Sequence, residues 1–153
     1  MMEIKKILFC EDFSKNSEAA RSWALGYAKA SGACIIIIHV IGTWPVHAYR
    51  PKMRFHEQQA MEKVKEPVNA DLEEIVQEFR KQGIEASYHT RVGSPSDEIL
   101  NFAKEERADL IIMGTHGWTG FRYQILGSVA EAVLRRATCS VLVVRMSNHD
   151  HID

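Results

Sequence analysis

Four consecutive isoleucines, Ile35 to Ile38, lie in a mostly apolar segment that spans residues 33–40. A strand with one face in water alternates polar and apolar residues, whereas a strand covered on both faces is apolar almost throughout. Strands of the second kind belong mainly to parallel sheets, in which helices cover both faces. The isoleucine segment therefore predicts an inner strand of an α/β domain.

The rest of the chain alternates predicted strands with predicted helices. Further apolar segments predict strands at residues 4–10, 84–92, 108–113 and 140–145. Helices are predicted at residues 15–31, at about 57–82, from 95 onward and at 128–137. This alternation predicts a doubly wound, five-stranded parallel sheet, and the strand order 3-2-1-4-5 would make it a Rossmann-like nucleotide-binding fold.

Several residues predict where the helices begin and end. Ser14 can cap the first helix, and Ser94 followed by Asp97 resembles a capping box. Pro67 lies inside the second helix and is expected to kink or break it. Residues 41–55 have no periodicity and are predicted to form a loop.

A glycine-rich loop joins the fourth predicted strand to the last predicted helix. Gly114 and Gly117 begin it, and after nine intervening residues Gly127 and Ser128 end it. Glycines let the backbone approach a ligand closely and adopt positive φ, and the first N–H groups of the helix have no intrahelical acceptor. The loop therefore predicts a phosphate-binding site. A side chain at Gly127 is expected to occupy the phosphate's approach.

Asp12 follows the first predicted strand and is a second candidate site residue. In doubly wound sheets, ligands bind at the carboxyl ends of strands, where the strand order reverses. In the order 3-2-1-4-5 this point lies between the first and fourth strands, which end near Asp12 and Gly114. The two candidates therefore converge on one crevice, although Asp12 could serve only as a turn or capping residue.

The spacing G-x-x-G, nine residues, then G-[ST] resembles the nucleotide-binding signature of the universal stress protein family, in its ATP-binding branch. The similarity extends over most of the chain and includes residues 7–14, 39–40, 92–95 and 141–144. The resemblance implies a small α/β domain that binds an adenine nucleotide and forms a homodimer.

The resemblance also implies how ATP, or ADP or AMP, would be held, with Mg²⁺ bound through the phosphates. Asp12 would accept hydrogen bonds from the ribose or the adenine edge, and Val40 would offer its backbone to adenine. Arg122 would meet a phosphate or remain a solvated loop residue. The implied cofactor-binding residues are Asp12, Val40, Met113, Gly114, Gly117, Arg122, Gly127, Ser128 and Val129.

Two residues depart from the family's usual pattern. Glu11 stands where a small or hydroxyl residue is common, so it brings a second carboxylate near the phosphates. It would weaken ATP binding by repulsion, help to hold Mg²⁺ through water, or point away. Trp118 stands at a position that is often polar or basic, where it would pack over the nucleotide or contact a partner.

The histidines and Cys10 allow more than one interpretation. His39 ends a predicted strand and is expected to be a satisfied core residue, whereas His116 could orient a phosphate or make a structural hydrogen bond. His149 and His151 lie in a short polar tail that cannot preorganise metal ligands, so no metal site built by the protein is expected. A redox role for Cys10 is open because it lies beside the proposed site.

Other phosphate-dependent classes fit less well. A receiver domain needs an aspartate at the end of its third strand, where this chain has Thr90 and Arg91. A flavodoxin-like protein needs a glycine loop after its first strand, where residues 10–14 contain no glycine, and the P-loop motif is absent. An interaction module with an empty site would have bulky residues in a disrupted loop, and this loop is intact.

Hydrolysis is the remaining functional question. Fast phosphoryl transfer needs a positioned nucleophile, charge neutralisation at the γ-phosphate and usually a base. The loop amides, Ser128, Arg122 and His116 can hold phosphates but offer no evident way to orient water. We expect a regulatory, stress-response module with slow or no hydrolysis and no assigned catalytic residue; the alternative is a slow ATPase or phosphotransferase.

Length and composition predict one domain, residues 1–146, followed by a polar tail, residues 147–153. The 19 basic and 20 acidic residues nearly balance, so no nucleic-acid or membrane surface is expected. The 3 cysteines lack CxxC spacing and the chain start lacks a signal-like apolar segment, which predicts a cytoplasmic protein. The downstream protein partner is unknown.

The predicted last strand, residues 140–145, would lie at an edge of the sheet and contains no proline. Such an edge tends to pair with another strand unless it is covered or charged. Pairing with the same strand of a second copy about a two-fold axis would give a homodimer. The alternative is an edge covered by the polar tail.

Overall fold

The computed structural model describes residues 2–42, 54–116 and 126–146. In chain order the elements are β1 Lys6–Cys10, α1 Lys15–Ser31, β2 Cys34–Gly42, α2 Arg54–Lys81, β3 Ala86–Gly93, α3 Pro95–Glu105, β4 Leu110–Gly114, α4 Ser128–Arg136 and β5 Ser140–Val144. The strands form one parallel sheet in the order β3-β2-β1-β4-β5, which confirms the predicted fold class. Among the described helices, none combines the length with the apolarity that crossing a bilayer requires.

The sheet separates two hydrophobic layers. Because successive strand residues point to opposite faces, Ile35 and Ile37 lie in the layer under α1 and α2, whereas Ile36 and Ile38 lie under α3 and α4. The other central strands divide in the same way, with Phe9 and Leu8 in opposite layers. The isoleucine segment is apolar throughout because helices cover both of its faces.

The capping residues of α1 and α3 differ in their contacts. The Ser14 hydroxyl accepts the N–H of Ser17 at 3.2 Å, which confirms the predicted cap. Ser94 occupies the cap position of α3, but its side chain makes no capping hydrogen bond. Asp97 pairs instead with Arg136 of α4 at 2.6 Å. The predicted capping box is therefore wrong, because a charged guanidinium is a stronger partner for this carboxylate than a backbone N–H.

Pro67 lies inside α2 and does not break it. Proline removes one helical N–H donor, but Pro67 is exposed, so water can bond the carbonyl that loses its partner. The expectation of a break is therefore wrong, and the alternative, a kink, stays a prediction. The helix also begins at Arg54, earlier than its sequence periodicity indicated.

The chain leaves β2 two residues later than predicted. Ile41 and Gly42 still belong to β2 and pair with Val92 and Gly93 of β3. Gly93 then turns the chain toward α3 with φ +151°, and a Cβ there would lie 3.0 Å from Oε1 of Glu98. Only glycine meets both conditions without strain.

Candidate functional site

A cavity of about 430 Å³ opens at the carboxyl ends of β1, β2 and β4. Its walls come from the sheet face that α3 and α4 cover, with Cys10, Ile38 and Met113 facing it. The cavity therefore lies beside the junction of β1 and β4, where the strand order reverses.

Most of the predicted site residues surround this cavity. They are Asp12, Val40, Met113, Gly114, Gly127, Ser128 and Val129. Gly117 and Arg122 lie outside the described residues, as does Trp118. The structure brings together the described members of the predicted set, and the role of each residue toward a ligand stays a prediction.

Gly114 ends β4 where the first turn of α1 crosses it. A Cβ at Gly114 would lie 2.8 Å from the carbonyl carbon of Asn16 and 2.9 Å from its Cβ. These distances are shorter than any side chain can accept without movement of the helix. Glycine is thus required at position 114 because α1 packs closely against it. The sequence pattern also suggested a positive φ, but Gly114 does not have one.

The two described ends of the glycine loop are hydrogen-bonded to each other. The N–H of Gly127 donates to the Thr115 carbonyl at 2.8 Å, and the N–H of Thr115 donates to Val144 in β5 at 3.1 Å. A Cβ on Gly127, whose φ is −62°, would lie 2.8 Å from that same Thr115 oxygen. The nearest obstacle to a side chain at Gly127 is therefore the loop's own backbone, and not the path of a phosphate.

The N-terminus of α4 faces the cavity without a side-chain cap. Gly127 occupies the cap position, and Ser128 and Val129 follow it in the cavity wall. The first N–H groups of a helix have no intrahelical acceptor, and the helix dipole adds a partial positive charge there. This end of the cavity is suited to an anion.

Asp12 lines the cavity and also forms a turn. Its Oδ1 accepts the N–H of Ser14 at 2.9 Å. Between them, Phe13 adopts φ 62°, in the left-handed region that bulky residues rarely occupy. The turn role that the sequence left open is therefore present, together with a position at the cavity.

Glu11 contacts the cavity but directs its carboxylate into the protein. Oε1 accepts the N–H of Phe13 at 2.8 Å and the hydroxyl of Ser17, and Oε2 accepts Nη2 of Arg21 at 2.8 Å. The residue is only 2% exposed. Of the three expectations for Glu11, the structure shows that the side chain points away.

Two histidines lie near the cavity with different surroundings. Nδ1 of His39 lies 2.7 Å from the Glu11 carbonyl, so this nitrogen carries the hydrogen, because a carbonyl only accepts. His39 is thus hydrogen-bonded, as predicted, although it is half-buried. Nδ1 of His116 lies 3.0 Å from Oγ1 of Thr115, and its Nε2 is buried without a partner among the described residues. His116 can therefore offer a nitrogen to a ligand.

Two further kinds of chemistry, metal binding and thiol redox chemistry, can be judged from the described side chains. Within the described ranges, no three histidine, cysteine or acidic residues converge to hold a metal ion, and His149 and His151 lie outside those ranges. Burial raises the pKa of the Cys10 thiol, and the carboxylates of Asp12 and Glu11 raise it further. Because the thiolate is the reactive form, Cys10 is poorly suited to a redox role.

The cavity also includes residues that were not predicted from the sequence. Ile38 precedes Val40 by two positions and so lies on the same face of β2. Ile99 lies four residues after Pro95, one helical turn along the same face of α3. Both periodicities could have identified these wall residues. Ser17 reaches the cavity because α1 packs across the end of β4, and no local pattern indicates this.

Comparisons with known proteins identify the family of this chain and agree with its fold. Residues 3–145 match the sequence model of the universal stress protein family. Universal stress protein MJ0577 of Methanocaldococcus jannaschii is 30% identical over 156 aligned residues, which cover 94% of this chain and 96% of the relative. A solved structure of MJ0577 superposes with a TM-score of 0.86 at 31% identity and covers 96% of this chain and 99% of that chain. A universal stress protein solved in complex with cAMP has a TM-score of 0.69 at 26% identity, over 95% of this chain and 100% of that chain. This chain belongs to the universal stress protein family.

Proposed function

We propose that this protein binds ATP, or ADP or AMP, in the cavity between β1 and β4 and acts as a homodimeric, nucleotide-dependent regulatory module of the stress response. The observation that carries the proposal is the uncapped N-terminus of α4 at one end of a cavity of about 430 Å³. That helix end suits phosphates, and the Asp12 carboxylate suits hydroxyl or amino donors of adenosine. A relative, 26% identical, has been solved in complex with cAMP, which supports an adenine ligand.

The cavity has an apolar part and a polar part, as a nucleotide requires. Ile38, Val40, Ile99 and Met113 form apolar walls of a kind that suits a purine base. The backbone from Ser128 onward supplies N–H donors for the phosphates, since the Gly127 N–H already donates to the Thr115 carbonyl. Mg²⁺ would be bound chiefly by phosphate oxygens, since it usually keeps several waters and few protein ligands.

Calorimetric titration of the purified protein with ATP and Mg²⁺ tests the proposed binding. We expect a dissociation constant near 1 μM, equivalent to about 8 kcal/mol. Adenine nucleotide should also be found in the supernatant of denatured protein, by ultraviolet spectrum and chromatography. Absence of heat at about 100 μM ligand, with no copurified nucleotide, would contradict the proposal.

Hydrolysis is expected to be slow. Among the described cavity residues, the Glu11 carboxylate is engaged by Arg21, the Asp12 carboxylate accepts the Ser14 N–H at the proposed adenosine end, and burial disfavours the thiolate of Cys10. This leaves His116 as the described loop side chain that could orient an attacking water. Turnover at saturating ATP should therefore fall well below about 1 s⁻¹, the lower end of ordinary enzymes. Phosphate release measured with Mg²⁺ checks this. A faster rate would favour the ATPase alternative and make Ser128 and His116 the first residues to replace.

The edge strand β5 supports the proposed homodimer. In the described part of the chain, β5 pairs only with β4, and Val141 and Val143 are half-buried. The Val144 carbonyl accepts the N–H of Thr115, and backbone groups of neighbouring strand residues point to opposite sides. The N–H groups of Val141 and Val143 therefore point away from β4. The same strand of a second copy, antiparallel about a two-fold axis, would accept them.

Replacing Val143 with Pro should convert the dimer to a monomer. Proline cannot donate to a ladder, and at this position it leaves the β4–β5 hydrogen bonds intact. The matched control is Val144→Pro, which removes an N–H directed at β4 and should destabilise the domain instead. Light scattering of both variants and of the unmodified protein provides the measurement. A monomeric unmodified protein at micromolar concentration would refute edge pairing.

A further inference from the structure

A charged and fully buried side chain lies directly beneath the cavity. The Glu11 side chain has 0% exposure, yet its two oxygens receive hydrogen bonds from the Phe13 N–H, the Ser17 hydroxyl and two nitrogens of Arg21. Arg21 donates through Nη2 at 2.8 Å and Nε at 3.2 Å, so its fork neutralises the carboxylate. A buried carboxylate is stable only with such partners.

The Glu11 carboxylate stabilises the turn that contains Asp12. Phe13 adopts φ 62°, which is unfavourable for an aromatic residue. The bond from its N–H to Glu11, 2.8 Å long, stabilises that conformation, and the bond from Ser14 to Asp12 closes the turn. The direction of the Asp12 carboxylate therefore depends on Glu11.

The end of β2 is contacted by the backbone, and not the carboxylate, of Glu11. The Glu11 N–H donates to the Ile38 carbonyl at 2.9 Å, and its carbonyl accepts Nδ1 of His39 at 2.7 Å. The His39 ring also packs on Phe13, with ring centroids 5.0 Å apart. Because His39 directly precedes Val40, the packing of Phe13 on His39 links the turn that contains Asp12 to the end of β2, where Val40 faces the cavity.

We propose that Glu11, neutralised by Arg21, is a positioning residue for the adenosine end of the site. Its carboxylate fixes the turn that presents Asp12 to the cavity. The proposal rests on nucleotide binding in this cavity. A positioning role and electrostatic repulsion predict opposite changes in affinity when the Glu11 charge is removed. Loss of a positioning charge weakens nucleotide binding, whereas loss of a repulsive charge strengthens it.

Glu11→Gln distinguishes these two predictions directly. Glutamine keeps the side-chain shape and one oxygen, but it removes the charge that faces Arg21. We expect the dissociation constants of ATP and of AMP to rise by a similar factor, about tenfold, as expected for a lost charge-assisted contact. The factors should be similar because both ligands contain the same adenosine. Calorimetry with each nucleotide measures them.

Two outcomes of this experiment would overturn the proposal. Tighter binding, with a larger gain for ATP than for AMP, would mean that Glu11 acts by repelling phosphates. Unchanged affinities with a lowered melting temperature would mean that the residue serves the fold alone. If the unmodified protein binds neither nucleotide, the proposed function itself fails, which the titration of that protein identifies separately.

A second variant and a matched control complete the design. Arg21→Lys keeps the positive charge but loses the planar fork, so ATP and AMP should again weaken together, by a smaller factor. This variant decides the question if Glu11→Gln does not fold, and unchanged affinities in folded Arg21→Lys would overturn the proposal. Glu73→Gln makes the same change at a carboxylate on α2 that is 48% exposed and pairs with Arg80. It should leave both affinities unchanged.

Discussion

Gly127→Val is expected to raise the dissociation constant for ATP by about a thousandfold or more, beyond ordinary detection. A Cβ at this position would lie 2.8 Å from the Thr115 carbonyl oxygen and 3.3 Å from Cα of His116. The branched side chain must therefore separate Gly127 from Thr115 and displace the first turn of α4. Two or three amide–phosphate hydrogen bonds, each contributing about 1.5–3 kcal/mol, would be lost.

The variant should remain folded, because α4 stays anchored in the core by Val133, which lies beyond the altered first turn. Gly26→Val is the matched control, since Gly26 lies on α1 and a Cβ there meets nothing within 4 Å. Calorimetry with ATP and circular dichroism of both variants provide the measurements. A titration of Gly127→Val like that of the unmodified protein would refute the assignment of this loop to the phosphates.

Arg21→Ala is expected to lower the free energy of unfolding by about 3–5 kcal/mol, the usual effect of leaving one member of a buried ion pair without its partner. The Glu11 side chain is 0% exposed, whereas Arg21 is 25% exposed, so the lower end of this range is expected. The double variant Glu11→Gln, Arg21→Ala should lose less stability than Arg21→Ala alone, because no uncompensated charge is left in the interior.

Urea unfolding followed by circular dichroism measures these differences. Arg135→Ala is the control, because its pair with Glu131 is 75% and 51% exposed and should contribute less than about 1 kcal/mol. If Arg21→Ala is no less stable than Arg135→Ala, the Glu11–Arg21 pair does not stabilise the fold, and the positioning of Asp12 would need another cause.

The sheet could be predicted because its signals are local. Ile35 to Ile38 are apolar on both strand faces, and that is possible only where helices cover both sides. The spacing of Gly114, Gly127 and Ser128 is also a local pattern, and it placed a glycine loop between β4 and α4 correctly. The capping box at Ser94 was wrong because a tertiary ion pair engages Asp97, and the break at Pro67 was wrong because that helix face is solvated, whereas a kink there stays a prediction.

The orientation of Glu11 could not be predicted from the sequence. Its position after β1 placed a carboxylate near the cavity, but the sequence does not indicate that Arg21, ten residues later, would turn it inward. The requirement for glycine at positions 114 and 127 likewise depends on Asn16 and Thr115, which approach only in the folded chain. Periodicity and loop spacing are properties of neighbouring residues and therefore determine the elements and their order. Side-chain direction and close backbone contact arise between elements, so only the tertiary structure decides them.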